Sequence, residues 1–167
     1  MKIWIYRGVP GSGKTTHSKK QHPKAKRFST DDFFMVNGEY RFDPSKLGEA
    51  HGKCLLDFVE FLISRTKSKF HQVADAEFPD VVVDNTNTSI AEVAPYAALA
   101  LAYGHELQIV TLCCDPAVAW KRNTHSVPER TVMAMAERMD LDLPPWWPNW
   151  NWVEEEKPNS DLGLKAP

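Results

Sequence analysis

The feature that most constrains this chain is a glycine-rich loop that directly follows its first apolar run. Residues 8 to 15 read GVPGSGKT, and the apolar run Ile3 to Tyr6 ends just before them. The loop has the complete pattern G-x-x-x-x-G-K-S/T, in which backbone N–H groups converge on phosphate oxygens and glycines leave room for that approach. This loop works between a strand and a helix, so the sequence predicts an α/β domain that binds a nucleoside triphosphate.

The last two residues of this phosphate-binding loop each have a predicted role. Lys14 is expected to reach the β- and γ-phosphates, and the Thr15 hydroxyl to take one position on Mg²⁺. The helix that begins near Gly13 points the positive end of its dipole at the anion. A chance match in a glycine turn is the alternative. The predicted nucleotide-binding residues of this segment are Gly8, Pro10, Gly11, Ser12, Gly13, Lys14, Thr15 and Thr16.

Composition indicates one globular domain without a membrane partner. The 167 residues are 43% hydrophobic, which is enough for a full α/β core, and no run approaches the roughly 20 apolar residues of a spanning helix. The chain start goes straight into a strand without signal-peptide features, so we expect a cytoplasmic protein. The formal net charge is −2, so a nucleic-acid substrate would have to be held by a local basic patch. The oligomeric state stays open.

The three cysteines, Cys54, Cys113 and Cys114, suit neither a disulfide framework nor a zinc site. Their number is odd, and their spacing does not form a zinc-ligand pair. We therefore predict buried thiols, with a reactive vicinal pair at Cys113 and Cys114 as the alternative.

Strand and helix signals alternate through the first 139 residues, which we predict to form a single domain. Asp before Pro starts two helices, S-x-x-E starts another, and Gly104 should stop it. This alternation predicts a parallel sheet with helices on both faces. The predicted strands are Lys2 to Arg7, Arg27 to Ser29, Val81 to Asp84 and Leu107 to Leu112, and the predicted helices begin near Lys14, Asp43, Ser89, Asp115 and Val127.

Residues 140–167 differ in composition and are predicted to be a tail that packs on the domain or extends from it. They hold five of the 12 prolines and four of the 6 tryptophans, and we expect neither helix nor strand in them. The tryptophans could stack nucleic-acid bases. The favoured alternative is that they cover apolar surface of the domain.

Carboxylates at the ends of two predicted strands supply the chemistry. Ligands of parallel sheets gather at the carboxyl ends of the strands, where Asp31, Asp32 and Asp84 fall beside the phosphate-binding loop. Asp31 is the predicted acceptor of the proton from an attacking hydroxyl. Asp84 is predicted to hold Mg²⁺ directly or through water, with capping of the loop as its alternative. For Asp32, capping of the following turn is as good a hypothesis as a role in the site.

A basic segment, Trp120 to His125, is predicted to form a lid over the phosphates. A closing lid excludes water and brings arginines to the transferred group, with Arg122 the first candidate and Arg130 the second. The alternative is that these cations only complement a helix end. On the long helix, His51 is favoured as a hydrogen-bonded core residue. Candidates for substrate contacts are Asp32, Arg41, His51, Asn85, Thr86, Asn87 and His125.

Four separated motifs together resemble the P-loop polynucleotide 5′-hydroxyl kinases, found in bacteriophages and as domains of larger eukaryotic proteins. The motifs are GVPGSGKT, STDDFF, VVVDNTNTS and KRNTH followed by VPERTVMAMAERM, within about residues 1 to 138. The resemblance implies a P-loop kinase fold with a helical lid, and Mg²⁺-dependent transfer of the ATP γ-phosphate to a 5′-hydroxyl of DNA or RNA. It implies that Asp31 is the general base, that Lys14 and Thr15 bind the nucleotide, and that Arg122 is a lid arginine.

Two departures from the phage enzymes concern the acceptor. Phe34 stands where an arginine would hold the acceptor phosphate, and Arg41 is the candidate replacement. The lid is shorter and offers His125 or Arg130 in place of a further arginine. An alternative acceptor is therefore a modified base in DNA, a nucleoside or a small metabolite. A third hypothesis is an ATP-binding interaction module without catalysis.

Overall fold

A five-stranded parallel sheet forms the centre of the protein, with the strand order β2-β5-β1-β6-β7. The computed structural model describes residues 1–70, 79–139 and 143–153. A short antiparallel hairpin, β3–β4, lies apart from this sheet. The strands of the described residues are β1 Lys2–Arg7, β2 Lys26–Phe28, β3 Met35–Val36, β4 Glu39–Tyr40, β5 Val81–Asp84, β6 Glu106–Cys113 and β7 Asn149–Val153.

Helices cover both faces of the sheet, as the alternation in the sequence predicted. The described helices are α1 Lys14–Gln21, α2 Leu47–Phe70, α3 Ile90–Ala102, α4 Pro116–Arg122 and α5 Glu129–Met139, with 3₁₀ segments at Thr30–Phe34 and Pro44–Lys46. Among the described residues, no helix is long and apolar enough to span a membrane.

Successive side chains of the central strand, β1, point to opposite faces of the sheet and pack in two separate core clusters. Ile3 and Ile5 are fully buried with residues of α2 and α3, among them Phe58 and Ala97. Tyr6 points to the opposite face, into a cluster with Val82 and Leu112 and beside α1. A third cluster joins Val9 of the phosphate-binding loop to α4 and α5. The loop is thus fixed to the sheet on one side and to the helix pair on the other.

The predicted helix starts and stops are confirmed. Ser89 and Glu92 form both hydrogen bonds of a capping box at the start of α3, and Gly104 follows that helix with a φ of 71°. Asp115 accepts from two backbone N–H groups at the start of α4. At Asp43 the capped segment is the 3₁₀ segment Pro44–Lys46, which leads directly into α2.

The prediction that the tail lacks a strand is wrong. Residues 149–153 form β7, which pairs in parallel with β6. The sequence Asn-Trp-Asn-Trp-Val alternates with a period of two, and the surrounding prolines obscured that signal. Trp147 packs against the large core cluster, whereas Trp146 is 76% exposed. The division of the chain at residue 139 stays a prediction.

The prediction of buried thiols holds for Cys54 and fails for Cys113. Cys54 is buried, Cys114 is half-buried, and Cys113 is exposed. Cys113 is the last residue of β6, where the strand leaves the core and its side chain reaches the cavity described below.

Candidate active site

A cavity of about 1200 Å³ opens at the carboxyl ends of β1, β2 and β5. Typical small-molecule sites measure about 300–1,000 Å³, so this cavity has room for more than one ligand group. It brings together the predicted residues of the phosphate-binding loop other than Gly8, the predicted carboxylates Asp31 and Asp84, and the basic segment after β6. The predicted residues that line it are Pro10, Gly11, Ser12, Gly13, Lys14, Thr15, Thr16, Asp31, His51, Asp84, Asn85, Thr86, Arg122, His125 and Arg130.

The phosphate-binding loop follows β1 and is held at its entry by the loop after β5. The Gly8 N–H donates to the Thr86 carbonyl at 2.9 Å. Arg7, which is buried, donates from its guanidinium to the carbonyls of Asn87 and Thr88. The Asn87 amide in turn donates to the Tyr6 carbonyl at 2.7 Å. These contacts fix the direction in which the loop leaves the sheet.

Gly11 has a packing role that the sequence did not reveal. Its φ is +82°, and a Cβ at this position would lie 1.9 Å from the Ala119 carbonyl oxygen in α4. The glycine therefore allows the loop backbone to contact α4 directly, three residues before Arg122. Gly13 also has positive φ, at +88°, but a Cβ there meets nothing within 4 Å. Packing against other parts of the protein therefore does not require a glycine here, whereas the positive φ at the turn into α1 does.

Lys14 is buried under the loop and holds its proton less strongly there than an exposed lysine does. Its Nζ donates to the Val9 carbonyl at 3.0 Å. Burial lowers the pKa of Lys14 to about 8, and the nearby carboxylates Asp84 and Asp31 offset only part of this effect. An added anion at the loop would favour the charged form of this lysine.

Asp84 has one carboxylate oxygen occupied and one without a partner. Its Oδ2 accepts from Ser18 Oγ at 3.4 Å and lies 3.8 Å from Arg27 NH1, an ion pair that the sequence did not predict. Its Oδ1 is buried and makes no hydrogen bond with the described residues. Such an oxygen is unfavourable unless a cation or donor meets it.

The Thr15 hydroxyl and the Asp84 carboxylate suit Mg²⁺, because this ion prefers hard oxygen ligands. Thr15 is exposed on the cavity, and Asp84 presents its unpaired Oδ1 at the end of β5. The described residues contain no cluster of three or more His, Cys, Asp or Glu side chains that could hold a metal alone. A magnesium ion here would need phosphate oxygens and waters to complete its shell, as it commonly does.

Asp31 lies on the 3₁₀ segment Thr30–Phe34, which two side chains fix at the sheet edge. Ser29 caps this segment and accepts from the Asp31 N–H, so Ser29 performs the capping that was considered for Asp32. Asn85, which follows β5, accepts from the Thr30 N–H at 2.7 Å. The Asp31 side chain is 53% exposed and lines the cavity.

Two side chains from different loops approach the Asp31 carboxylate. The Tyr40 hydroxyl, on β4, donates to Oδ1 at 3.0 Å. The Nε2 atom of His125, in the loop between α4 and α5, lies 3.8 Å from Oδ2. The Tyr40 and His125 rings are themselves in contact, with centroids 4.4 Å apart. Burial and the adjacent Asp31 raise the pKa of Tyr40 above its usual range, so the phenol stays a hydrogen-bond donor.

The predicted substrate contacts fall into two groups. His51, Asn85, Thr86 and His125 line the cavity, and Asp32, Arg41 and Asn87 do not. His51 is half-buried, with its Nδ1 3.4 Å from the Thr30 hydroxyl. Arg41 is exposed and pairs with Glu39 at 2.8 Å, so it does not occupy the place of an acceptor arginine in this conformation.

Several residues of the cavity were missed by the sequence reading. Tyr40 and Phe42 belong to a segment that the sequence presents only as a polar turn region, and both line the cavity. Phe34, which the sequence marked only as the position of a missing acceptor arginine, lines it too, although it is only 3% exposed. The sequence does contain a signal for them, because three aromatic residues flank the Asn37-Gly38 turn. Such a turn brings the two arms of a hairpin together.

Comparison with known proteins assigns this chain to a family. Residues 3–141 match a family described as an AAA domain. The chain belongs to this family. Among curated proteins, it is 32% identical over 144 residues to the human (Homo sapiens) NEDD4-binding protein 2 and 24% identical over 154 residues to the mouse (Mus musculus) YLP motif-containing protein 1. These alignments cover 80% and 83% of this chain but only 7% and 11% of those proteins.

Solved structures show that this AAA-domain chain has the P-loop kinase fold. One neighbour is a Pnkp1/Rnl/Hen1 complex, with a TM-score of 0.53 and 20% identity over 76% of this chain and 40% of that one. A gluconokinase from Sinorhizobium meliloti 1021 gives a TM-score of 0.54 and 15% identity over 91% of this chain and 82% of that one. A sugar kinase from Janibacter sp. gives 0.56 and 15%, over 92% and 85%.

Proposed function

We propose that this AAA-domain protein is a kinase that transfers the γ-phosphate of ATP to a 5′-hydroxyl of DNA or RNA. The observation that carries the proposal is the position of an exposed Asp31 carboxylate in the same cavity as the buried Lys14 and the phosphate-binding loop. Phosphoryl transfer asks a protein mainly to position its two substrates and to stabilise charge. A carboxylate beside a triphosphate site meets the first requirement for a hydroxyl acceptor.

In this proposal the acceptor hydroxyl oxygen forms a bond to the γ-phosphorus while the bond from that phosphorus to the β,γ-bridging oxygen breaks. The hydroxyl proton passes to a carboxylate oxygen of Asp31, and ADP leaves. Lys14 and the loop N–H groups hold the β- and γ-phosphates. Arg122 and Arg130, which also line the cavity, neutralise charge on the transferred group. Magnesium, held through Thr15 and Asp84, supplies further charge neutralisation when bound.

The charge of the cavity supports a polyanionic ligand. Among its described lining residues, four carry lysine or arginine charges and two are carboxylates. The cations therefore outnumber the acids around the phosphate-binding loop, although the whole chain carries a net charge of −2. The polynucleotide acceptor itself rests on the order of the four motifs. The Pnkp1/Rnl/Hen1 complex adds a neighbour of the same fold.

An acceptor panel tests the proposal. Purified protein with Mg²⁺ and γ-labelled ATP is offered 5′-hydroxyl DNA and RNA oligonucleotides, nucleosides and gluconate. Matched oligonucleotides that already carry a 5′-phosphate are the control. We expect label on the 5′-hydroxyl oligonucleotides and none on the phosphorylated controls. Label on a nucleoside or on gluconate alone would replace the polynucleotide acceptor, and ATP binding without label anywhere would overturn the kinase proposal.

A further inference from the structure

An aromatic wall borders the cavity next to Asp31 and has no role in the chemistry described above. We define it as Phe34, Tyr40 and Phe42, all of which line the cavity. Phe34 is buried, and Phe42 is 48% exposed. A large aromatic side chain left half open in a cavity is a favourable surface for a planar or apolar ligand group.

Contacts made by Phe34 hold the aromatic wall in place. The Phe34 ring centroid lies 5.0 Å from that of Phe42 and 6.2 Å from that of Tyr40, both in edge-on contact. The Arg41 N–H donates to the Phe34 carbonyl at 2.8 Å, which fixes the backbone between the two outer rings. The Tyr40 and Phe42 rings are nearly parallel, at 9°, with centroids 6.5 Å apart. The two outer rings therefore present their faces in one common orientation.

The wall adjoins the proposed reaction centre through one residue. Tyr40 belongs to the wall and donates its hydroxyl to Asp31 Oδ1 at 3.0 Å. The one arginine of this segment, Arg41, is paired with Glu39 and does not line the cavity. The surface that meets the acceptor on this side of Asp31 is thus aromatic, where a phosphate contact would need a cation.

We propose that the nucleobase of the acceptor's 5′-terminal nucleotide stacks on this wall, chiefly on Phe42, and so places the 5′-hydroxyl at Asp31. This rests on the proposed function. Every base has a π face, and stacking on an aromatic side chain tolerates any sequence. The enzyme would therefore recognise an unpaired terminal base with little preference among the four, and would accept an abasic 5′ end poorly.

The test compares Phe42 variants on paired substrates. One 5′-hydroxyl oligonucleotide carries a normal terminal base, and its partner carries an abasic 5′-terminal nucleotide. Phe42→Ala and Phe42→Leu remove the aromatic face, and Phe42→Trp keeps one. Met35→Ala is the matched control, because Met35 lies on the β3–β4 hairpin that precedes Phe42 and is similarly exposed, at 46%, but does not line the cavity.

We expect Phe42→Ala and Phe42→Leu to raise the KM for the normal oligonucleotide by about tenfold, the scale of one lost base stack. The KM for the abasic oligonucleotide should be high for the parent protein and change by less than twofold in these variants. Phe42→Trp should behave like the parent, and so should Met35→Ala. Equal effects of Phe42→Ala on both oligonucleotides, or none on either, would overturn the stacking proposal while leaving the kinase proposal intact.

A binding measurement separates the two proposals if no transfer is seen. An oligonucleotide with 2-aminopurine at its 5′ end is titrated with protein in the presence of a non-hydrolysable ATP analogue, and its fluorescence falls when the base stacks. Quenching by the parent and by Phe42→Trp, but not by Phe42→Ala, supports the stacking site even where transfer fails. Absence of quenching by the parent overturns it.

Discussion

The Tyr40 hydroxyl donates to the Asp31 carboxylate at 3.0 Å, which joins the β3–β4 hairpin to the residue proposed as the general base. Hydrogen bonds to charged groups contribute about 1.5–3 kcal/mol, and less where solvent competes, as it does at this half-exposed carboxylate. We expect Tyr40→Phe, which keeps the ring, to lower kcat by roughly three- to tenfold. The KM for ATP should not change. Steady-state kinetics check this, and an unchanged kcat would show that the contact does not position Asp31.

The lowered pKa of Lys14 makes ATP binding depend on pH. In the free protein this pKa is about 8, and bound phosphate favours the charged lysine, so binding at pH 8 should take up about half a proton. Above pH 8 the free lysine is neutral and must be protonated on binding. The Kd for ATP should therefore rise by up to tenfold for each further pH unit.

Calorimetry at pH 8 in two buffers of different ionisation enthalpy measures this proton uptake. Lys14→Met removes the titrating group and serves as the control. A Kd that stays constant between pH 7 and 9.5 in the unaltered protein would contradict a lowered pKa of Lys14.

The packing of Gly11 on α4 predicts an unusually damaging alanine substitution. Gly11→Ala combines strain at a φ of +82° with a Cβ that would lie 1.9 Å from the Ala119 carbonyl. The expected loss in the free energy of unfolding is about 2–4 kcal/mol, from overpacking and backbone strain together. Gly38→Ala is the matched control, because its φ of +84° is similar and its Cβ meets nothing within 4 Å. It should lose only about 1 kcal/mol.

Urea denaturation gives both free energies of unfolding. Two equal losses would mean that only backbone strain matters and that the loop does not press on α4.

The unpaired oxygen of Asp84 predicts how the protein responds to magnesium. Asp84→Asn should raise the Mg²⁺ concentration at half-maximal transfer by tenfold or more, because a carboxylate ligand is lost. Arg27→Met is the comparison variant. It removes the ion pair at Oδ2 and the Arg27 hydrogen bond to Ser18 but leaves the Asp84 carboxylate in place, so it should not raise that concentration. Rates measured across a magnesium titration decide this. If Asp84→Asn and the parent show the same magnesium dependence, Asp84 has a structural role only and does not bind magnesium.

Local signals predicted most of the fold. The bounds of β1, α1 and β5 follow from apolar runs, a glycine loop and a proline, and the caps Ser89 and Asp115 act on neighbours in the chain. The strand β7 was missed because its short alternation of polar and aromatic residues lies among prolines and lacks the continuous apolar run that marked β1 and β5. Long-range pairing decides such strands, and local propensity does not.

The site was predictable where a motif encodes it and hidden where tertiary contacts build it. Lys14 was found from the phosphate-binding motif, and Asp31 and Asp84 were found because they lie at the ends of strands that converge in a parallel sheet. Arg27 and Tyr40 were not found, since their partners Asp84 and Asp31 are reached across elements. Gly11 was assigned to phosphate approach, and its contact with Ala119 depends on where α4 packs.

The central claim is that Asp31 acts on the acceptor hydroxyl, and single-turnover transfer by Asp31→Asn tests it most directly. The variant keeps the size of the side chain and can still accept from Tyr40, but it cannot take up the hydroxyl proton. We predict that label transfer from γ-labelled ATP to a 5′-hydroxyl oligonucleotide falls by at least 100-fold, with the Kd for ATP within threefold of the parent. Transfer at the parent rate, or an equal loss of ATP binding, would contradict it.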